Sequence, residues 1–176
     1  MTVEIRHHTT LTAETRQALL DVYAEVRAPL LHLPNYCVEA FAERLERYAA
    51  EPGFELVLGH DGGAVVGYAY GNRVGAGDRY WGRMAEPLPE GFTDTPVLAL
   101  REIGVRTPWR GSGVARRIHD GLLARRAEER VTLMVNPLAG GGKVRRVYES
   151  WGYRAFNAQP PSSVSPELTV MVRPIR

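Results

Sequence analysis

Val105-Arg-Thr-Pro-Trp-Arg-Gly-Ser-Gly-Val-Ala115 is the stretch on which the reading of the fold turns. Ahead of it, Val97 to Val105 is an apolar run that reads as a strand. Behind it a helix opens at about Val114. The corner between them holds Pro108 and then Arg110-Gly111-Ser112-Gly113. Two glycines at a strand-to-helix corner let a ligand approach the main chain without meeting a Cβ. The first amides of a helix have no internal acceptor, and the helix dipole adds partial positive charge there. Such a corner suits phosphate or pyrophosphate, and Arg110 adds a fixed cation. No Lys follows Gly113, so this is not a nucleoside-triphosphatase loop, and no three-glycine dinucleotide fingerprint stands near the N terminus. A glycine-rich turn that only starts a helix is the plainer alternative.

The rest of the chain narrows the class. At 176 residues and 44% apolar content it fits one domain, 1–176, with a substantial core. A net charge of +2 argues against a dedicated nucleic-acid binder. Residues 101–130 nonetheless hold eight Arg against four acidic residues, which suits a polyphosphate ligand or a solvated helix face equally. Cys37 is the single cysteine; it allows no internal disulfide and reads as a small buried residue. No apolar run approaches the ~20 residues of a membrane span, and the polar Met1-Thr-Val-Glu-Ile-Arg6 is no signal peptide. A cytoplasmic protein is expected, with no membrane and no nucleic-acid partner; a homodimer remains open.

Val3 to His7 alternates like a half-buried strand. Thr12 is a plausible N-cap for a helix carrying Leu19, Val22, Tyr23 and Val26. Pro29 and Pro34 interrupt it, and a second helix presents Val38, Phe41, Ala42, Leu45 and Tyr48. Phe54–Leu58 and Ala64–Tyr70 read as strands joined by a hairpin at His60-Asp61-Gly62-Gly63. Residues 73–96 form a long Gly- and Pro-rich loop whose Tyr80, Trp81, Met84 and Phe92 either line a substrate cavity or cover the sheet. The helix after the corner is expected from about Val114 to Arg130, burying Ala115, Ile118 and Leu122. Val131–Val135 is a central strand. A short helix over 143–151 and strands at Tyr153–Phe156 and Leu168–Val172 complete the order β-α-α-β-β-β-α-β-α-β-β.

The corner resembles the acyl-coenzyme A pyrophosphate loop of the GCN5-related N-acetyltransferase (GNAT) superfamily, Gln/Arg-x-x-Gly-x-Gly/Ala, matched by Arg110, Gly113 and Ala115. Tyr148-Glu-Ser-Trp-Gly152-Tyr153 resembles a second motif of that superfamily, Tyr-x-x-x-Gly-Phe/Tyr, and the element order is similar throughout. One departure stands out. Where family members often carry an Asn seven residues before the motif Tyr, this chain has Gly141, within Ala139-Gly-Gly-Gly142.

The resemblance implies an α/β (α+β) GNAT fold: a mixed central sheet of six to seven strands with about four helices, its splayed parallel strands holding acyl-CoA. It implies an acetyl-CoA-dependent N-acetyltransferase acting on a primary amine of a small molecule or peptide by direct transfer, with acetyl-CoA as co-substrate and no metal. A non-catalytic acyl-CoA-binding sensor is the alternative. Coenzyme contacts are implied at Ile103, Gly104 and Val105 on the strand, and at Arg110, Gly111, Ser112, Gly113, Val114, Ala115 and Arg116 on the loop and helix. An amide near Val105 would face the thioester carbonyl. Tyr148 is the candidate general acid, since a phenol with an intrinsic pKa of about 10 stays protonated at neutral pH; packing against the coenzyme is the other reading. Glu102, a carboxylate beside Ile103, Gly104 and Val105, is the candidate base, with a salt bridge to Arg101 or Arg6 as the alternative. Glu25 and His32 could line the acceptor pocket or lie on the surface.

Overall fold

A computed structural model describes residues 2–176. The elements are β1 (Glu4–His8), α1 (Ala13–Val26), α2 (Val38–Ala49), β2 (Glu55–Asp61), β3 (Ala64–Val74), β4 (Val97–Val105), α3 (Val114–Ala124), β5 (Arg130–Val135), α4 (Lys143–Ser150), β6 (Arg154–Gln159) and β7 (Leu168–Pro174). Seven strands form one mixed sheet in the order β1-β2-β3-β4-β5-β7-β6, with β4 and β5 parallel. The chain divides into two compact units, Met1–Asn72 with Leu100–Arg126 and Arg73–Ala99 with Ala127–Arg176. Two of the three divisions fall inside β3 and β4, and the third in the connection between α3 and β5.

In the first unit Thr12 caps α1 through a reciprocal pair. Its hydroxyl accepts from the Thr15 amide at 3.1 Å, and the Thr15 hydroxyl accepts from the Thr12 amide at 2.9 Å. The buried stripes of α1 and α2 meet face to face, with the Tyr23 and Phe41 rings stacked at 3.8 Å. Leu56 and Leu58 of β2 join that core. The alternate positions point the other way, toward α3, as the two-residue period of a strand requires. There Gly59 and Gly67 leave room for Ile118, whose Cδ1 would lie 2.9 and 2.7 Å from a Cβ added at either. Asp61 pairs with Ala64 across the two-residue Gly62-Gly63 turn, as the hairpin signal predicts.

Three expectations are corrected in this unit. α3 ends at Ala124, not near Arg130, because Arg126 turns inward. Its Nη1 donates to the Gly53 carbonyl at 2.8 Å and lies 3.3 Å from the Glu55 carboxylate, which also meets His7 Nδ1 at 2.7 Å. The buried stripe of α3 is Val114, Ile118, His119, Leu122 and Leu123, while Ala115 is only half-buried. Cys37 is half-buried too, at the N-cap position of α2, where its thiol donates to the Pro34 carbonyl.

The second unit has its own core of Val74, Tyr80, Phe92, Val97, Ala99 and Val172. Trp81 meets Tyr80 and Phe92 edge-on, Phe92 stacks on Phe156 at 4.5 Å, and the Tyr80 hydroxyl lies 3.2 Å from Thr132 Oγ1. The aromatics of the 73–96 loop therefore cover the sheet. β5 is fully laddered to β7, from Arg130↔Pro174 to Val135↔Thr169. Its register with β4, among the described residues, comprises only Leu98↔Val131 and Ala99↔Thr132.

Candidate functional site

The strand-to-helix corner is held from behind. As the chain leaves β4, the Arg106 amide and Nε donate to the carbonyls of Val66 and Val65, both at 2.8 Å. The Arg106 guanidinium also pairs with Glu25. Trp109 Nε1 donates to Asp61 at the hairpin tip, at 2.9 Å, and Arg110 Nε donates back to the Val105 carbonyl at 3.1 Å. Residues 107–110 are thereby fixed before the glycines begin. Gly111 and Gly113 then take φ of 75° and 82°, a left-handed backbone that costs other residues about 1–2 kcal/mol each. Nothing lies within 4 Å of a Cβ placed on either, so the corner is open to a ligand.

Gly113 occupies the N-cap position of α3, where it offers no side chain, and the first turn holds no acidic residue. Among the described residues, none of the amides of Gly111, Ser112, Gly113, Val114 and Ala115 has a protein acceptor. Five consecutive unpaired donors at a helix start fit an anion with several oxygens, as a pyrophosphate has. Ser112 turns its hydroxyl to the Trp109 carbonyl, so its amide rather than its side chain faces outward chemistry. Arg116 pairs with Asp120 one turn on, at 2.8 Å.

Glu102 lies in the same unit, on β4, with its side chain 14% exposed. Its partners are not Arg101 or Arg6. Arg101 bonds Asn72 and stacks over Tyr48, and Arg6 pairs with Glu4. The Glu102 carboxylate instead approaches the hydroxyls of Tyr68 and Tyr70, at 3.4 and 3.5 Å, and the Arg27 guanidinium at 3.8 Å. Burial pushes its carboxyl above the ordinary carboxylate value, against the opposing charges of Arg27 and Arg44 and the two tyrosine hydrogen bonds. Burial and the Glu102 charge push Tyr68 and Tyr70 well above the usual phenol value, so both remain donors. Gly104, beside it, makes room for one of them: an added Cβ would stand 3.0 Å from the Tyr68 ring. Ile103 is half-buried and Gly104 and Val105 are buried. Glu25 is committed to Arg106, and His32 is exposed.

Tyr68, Tyr70 and Arg27, which approach Glu102, and Arg44, whose charge acts on it, were given no role in the sequence reading. The tyrosines carried a signal, since positions two apart on a strand share a face. The arginines, one at the C-terminal cap of α1 and one on α2, carried none.

Tyr148 belongs to the second unit, on α4. Its half-buried ring meets Trp151 and Tyr153 edge-on at 5.6 and 5.7 Å. No residue of α4 is fully buried; Val144 and Val147 are exposed, so the spacing that marked this helix does not mark a core face. Before it Gly140, Gly141 and Gly142 take φ of 57°, 65° and 88°. Three successive left-handed residues are accessible in practice only to glycine. Gly141 therefore stands where it does for backbone reasons, and an Asn side chain is not replaced there by another side chain.

No protein-family model matches the chain, and no curated protein matches it. Solved structures match over nearly its full length. An acetyltransferase of the GNAT family from Staphylococcus aureus MU50 superposes with a TM-score of 0.61 at 12% identity, covering 98% of this chain and 100% of that one. The ribosomal-protein-S18-alanine N-acetyltransferase from Escherichia coli gives 0.62 at 14%, covering 98% and 94%. An aminoglycoside 6'-acetyltransferase type Ii gives 0.67 at 17%, covering 98% and 97%. Identities this low speak to architecture alone, and with the seven-stranded mixed sheet and four helices described above they show that the chain has the fold of the GNAT acetyltransferases.

Proposed function

We propose that this protein is an acetyl-CoA-dependent N-acetyltransferase that moves an acetyl group to a primary amine by direct transfer. The observation that carries this reading is the row of unpaired amides at Gly111–Ala115, on an open corner fixed by Trp109–Asp61 and Arg110–Val105. Those amides would hold the coenzyme pyrophosphate, with Arg110 and Arg116 adding positive charge. Residues 103–105 would pair with the pantetheine through their main chain. An amide near Val105 would donate to the thioester oxygen as charge develops on it.

Glu102 would take the proton from the acceptor ammonium, leaving the nitrogen lone pair free to attack. A C–N bond then forms, the nitrogen gives up its second proton to solvent water, the C–S bond breaks, and the electron pair leaves on sulfur. Tyr148 would give its phenolic proton to that thiolate and recover one from solvent.

Two measurements test the reading. Calorimetric titration should show acetyl-CoA binding that is lost in a Gly111→Val/Gly113→Val variant, where side chains are forced into left-handed backbone. An amine panel should then release free thiol from acetyl-CoA. Binding without release across a broad panel would assign an acyl-CoA sensor instead, and absence of binding would refute both.

A further inference from the structure

The charges around Glu102 say more about the acceptor than the fold does. Arg27 is about two-thirds buried, yet among the described residues no acceptor lies within hydrogen-bond distance of its guanidinium. Its approach to Glu102, at 3.8 Å, is an ion pair without a hydrogen bond. Its Nε is sealed from solvent and has no partner. A guanidinium carries five donors in a planar fork that matches a carboxylate, and leaving such donors unmet is costly. Arg44 adds a second cation whose charge acts on Glu102, Tyr23 and Tyr70; it also hydrogen-bonds the Tyr23 side chain, and its Nη1 donates to the Asn35 carbonyl at 2.9 Å. One carboxylate against two guanidiniums leaves the cluster at +1. Such a cluster repels a polyamine or another polycationic amine and attracts a molecule that brings its own anion.

We propose that the acceptor is a small amine that also carries a carboxylate, in the manner of an amino acid, with its amine at Glu102 and its carboxylate on Arg27 and Arg44. This rests on the acetyl-transfer reading above and narrows it. Charge-assisted, bidentate contacts of this kind discriminate strongly against analogues that lack the charged group. The tyrosine hydroxyls keep the Glu102 carboxylate in place so that it does not collapse onto Arg27.

The test uses matched pairs of amines on one scaffold, with the free carboxylate in one member and a carboxamide in the other. Thiol release from acetyl-CoA is followed over a range of amine concentrations. The expected result is a kcat/KM at least ten-fold higher for the carboxylate member. Arg27→Gln should collapse that ratio to near one while calorimetric acetyl-CoA binding persists, and Arg27→Lys should keep part of it. If Arg27→Gln does not fold, Arg44→Gln should lower the same ratio. Equal or better turnover of carboxamides or polyamines by the unaltered protein would overturn this proposal and leave the transferase reading standing. No thiol release with any amine would overturn the transferase reading, and this proposal with it.

Discussion

A buried carboxylate can serve as a base only when it is ionised, and Glu102 sits where burial resists ionisation. Its pKa is raised above 4.5, chiefly by desolvation. The protonated, inactive form therefore persists to higher pH than for an exposed Glu, and kcat/KM should fall as pH drops through that raised value. Glu102→Gln should lower kcat about a hundred-fold and flatten this acidic limb; a pH–rate profile that keeps the limb in the variant would assign the limb to another group. Tyr148→Phe is expected to keep acetyl-CoA binding while slowing turnover, and unchanged kcat in a defined assay would remove its acid role. Glu102 was legible as a lone charge on an apolar strand. Its partners were not, since Arg27 and Arg44 lie on helices far from it in the chain and meet it only when those helices pack.

At the scale of elements, two contacts fix how α3 lies on β2 and β3. The first is the Arg126–Glu55–His7 cluster, with Glu55 and Arg126 both nearly sealed from water. Arg126→Met would leave Glu55 buried beside a single His, and removal of one partner of a buried pair costs about 3–5 kcal/mol. Urea unfolding should show that loss, and adding Glu55→Gln to the same variant should recover part of it. The second is the close fit at Gly67, where a Cβ would stand 2.7 Å from Ile118 Cδ1 and 2.8 Å from the Gly104 carbonyl. Gly67→Ala should cost about 1–3 kcal/mol through overpacking. Gly63→Ala, with nothing within 4 Å and no left-handed φ, is the control and should leave the melting temperature nearly unchanged.

For the whole molecule, a ligand that binds only the folded chain must raise its stability. At a hundred times its Kd, acetyl-CoA would add about 2.7 kcal/mol, seen as a higher Tm in thermal unfolding. The Gly111→Val/Gly113→Val variant should lose the increment. A shift of equal size in that variant would place the coenzyme elsewhere. No described helix is long and apolar enough to cross a membrane.

By itself the sequence determined the order of the elements, the strand from Val97 to Val105, the hairpin at Gly62-Gly63 and the glycine corner before α3. Each depends on neighbours in the chain: apolar period, turn chemistry, and the glycines a left-handed backbone requires. The tertiary structure alone decided that α3 stops at Ala124 for the sake of Arg126, that the aromatics of 73–96 cover a sheet, and that Glu102 faces two tyrosines and Arg27. Those outcomes are set by burial and charge pairing between distant segments, and no local pattern encodes which distant side chain will arrive.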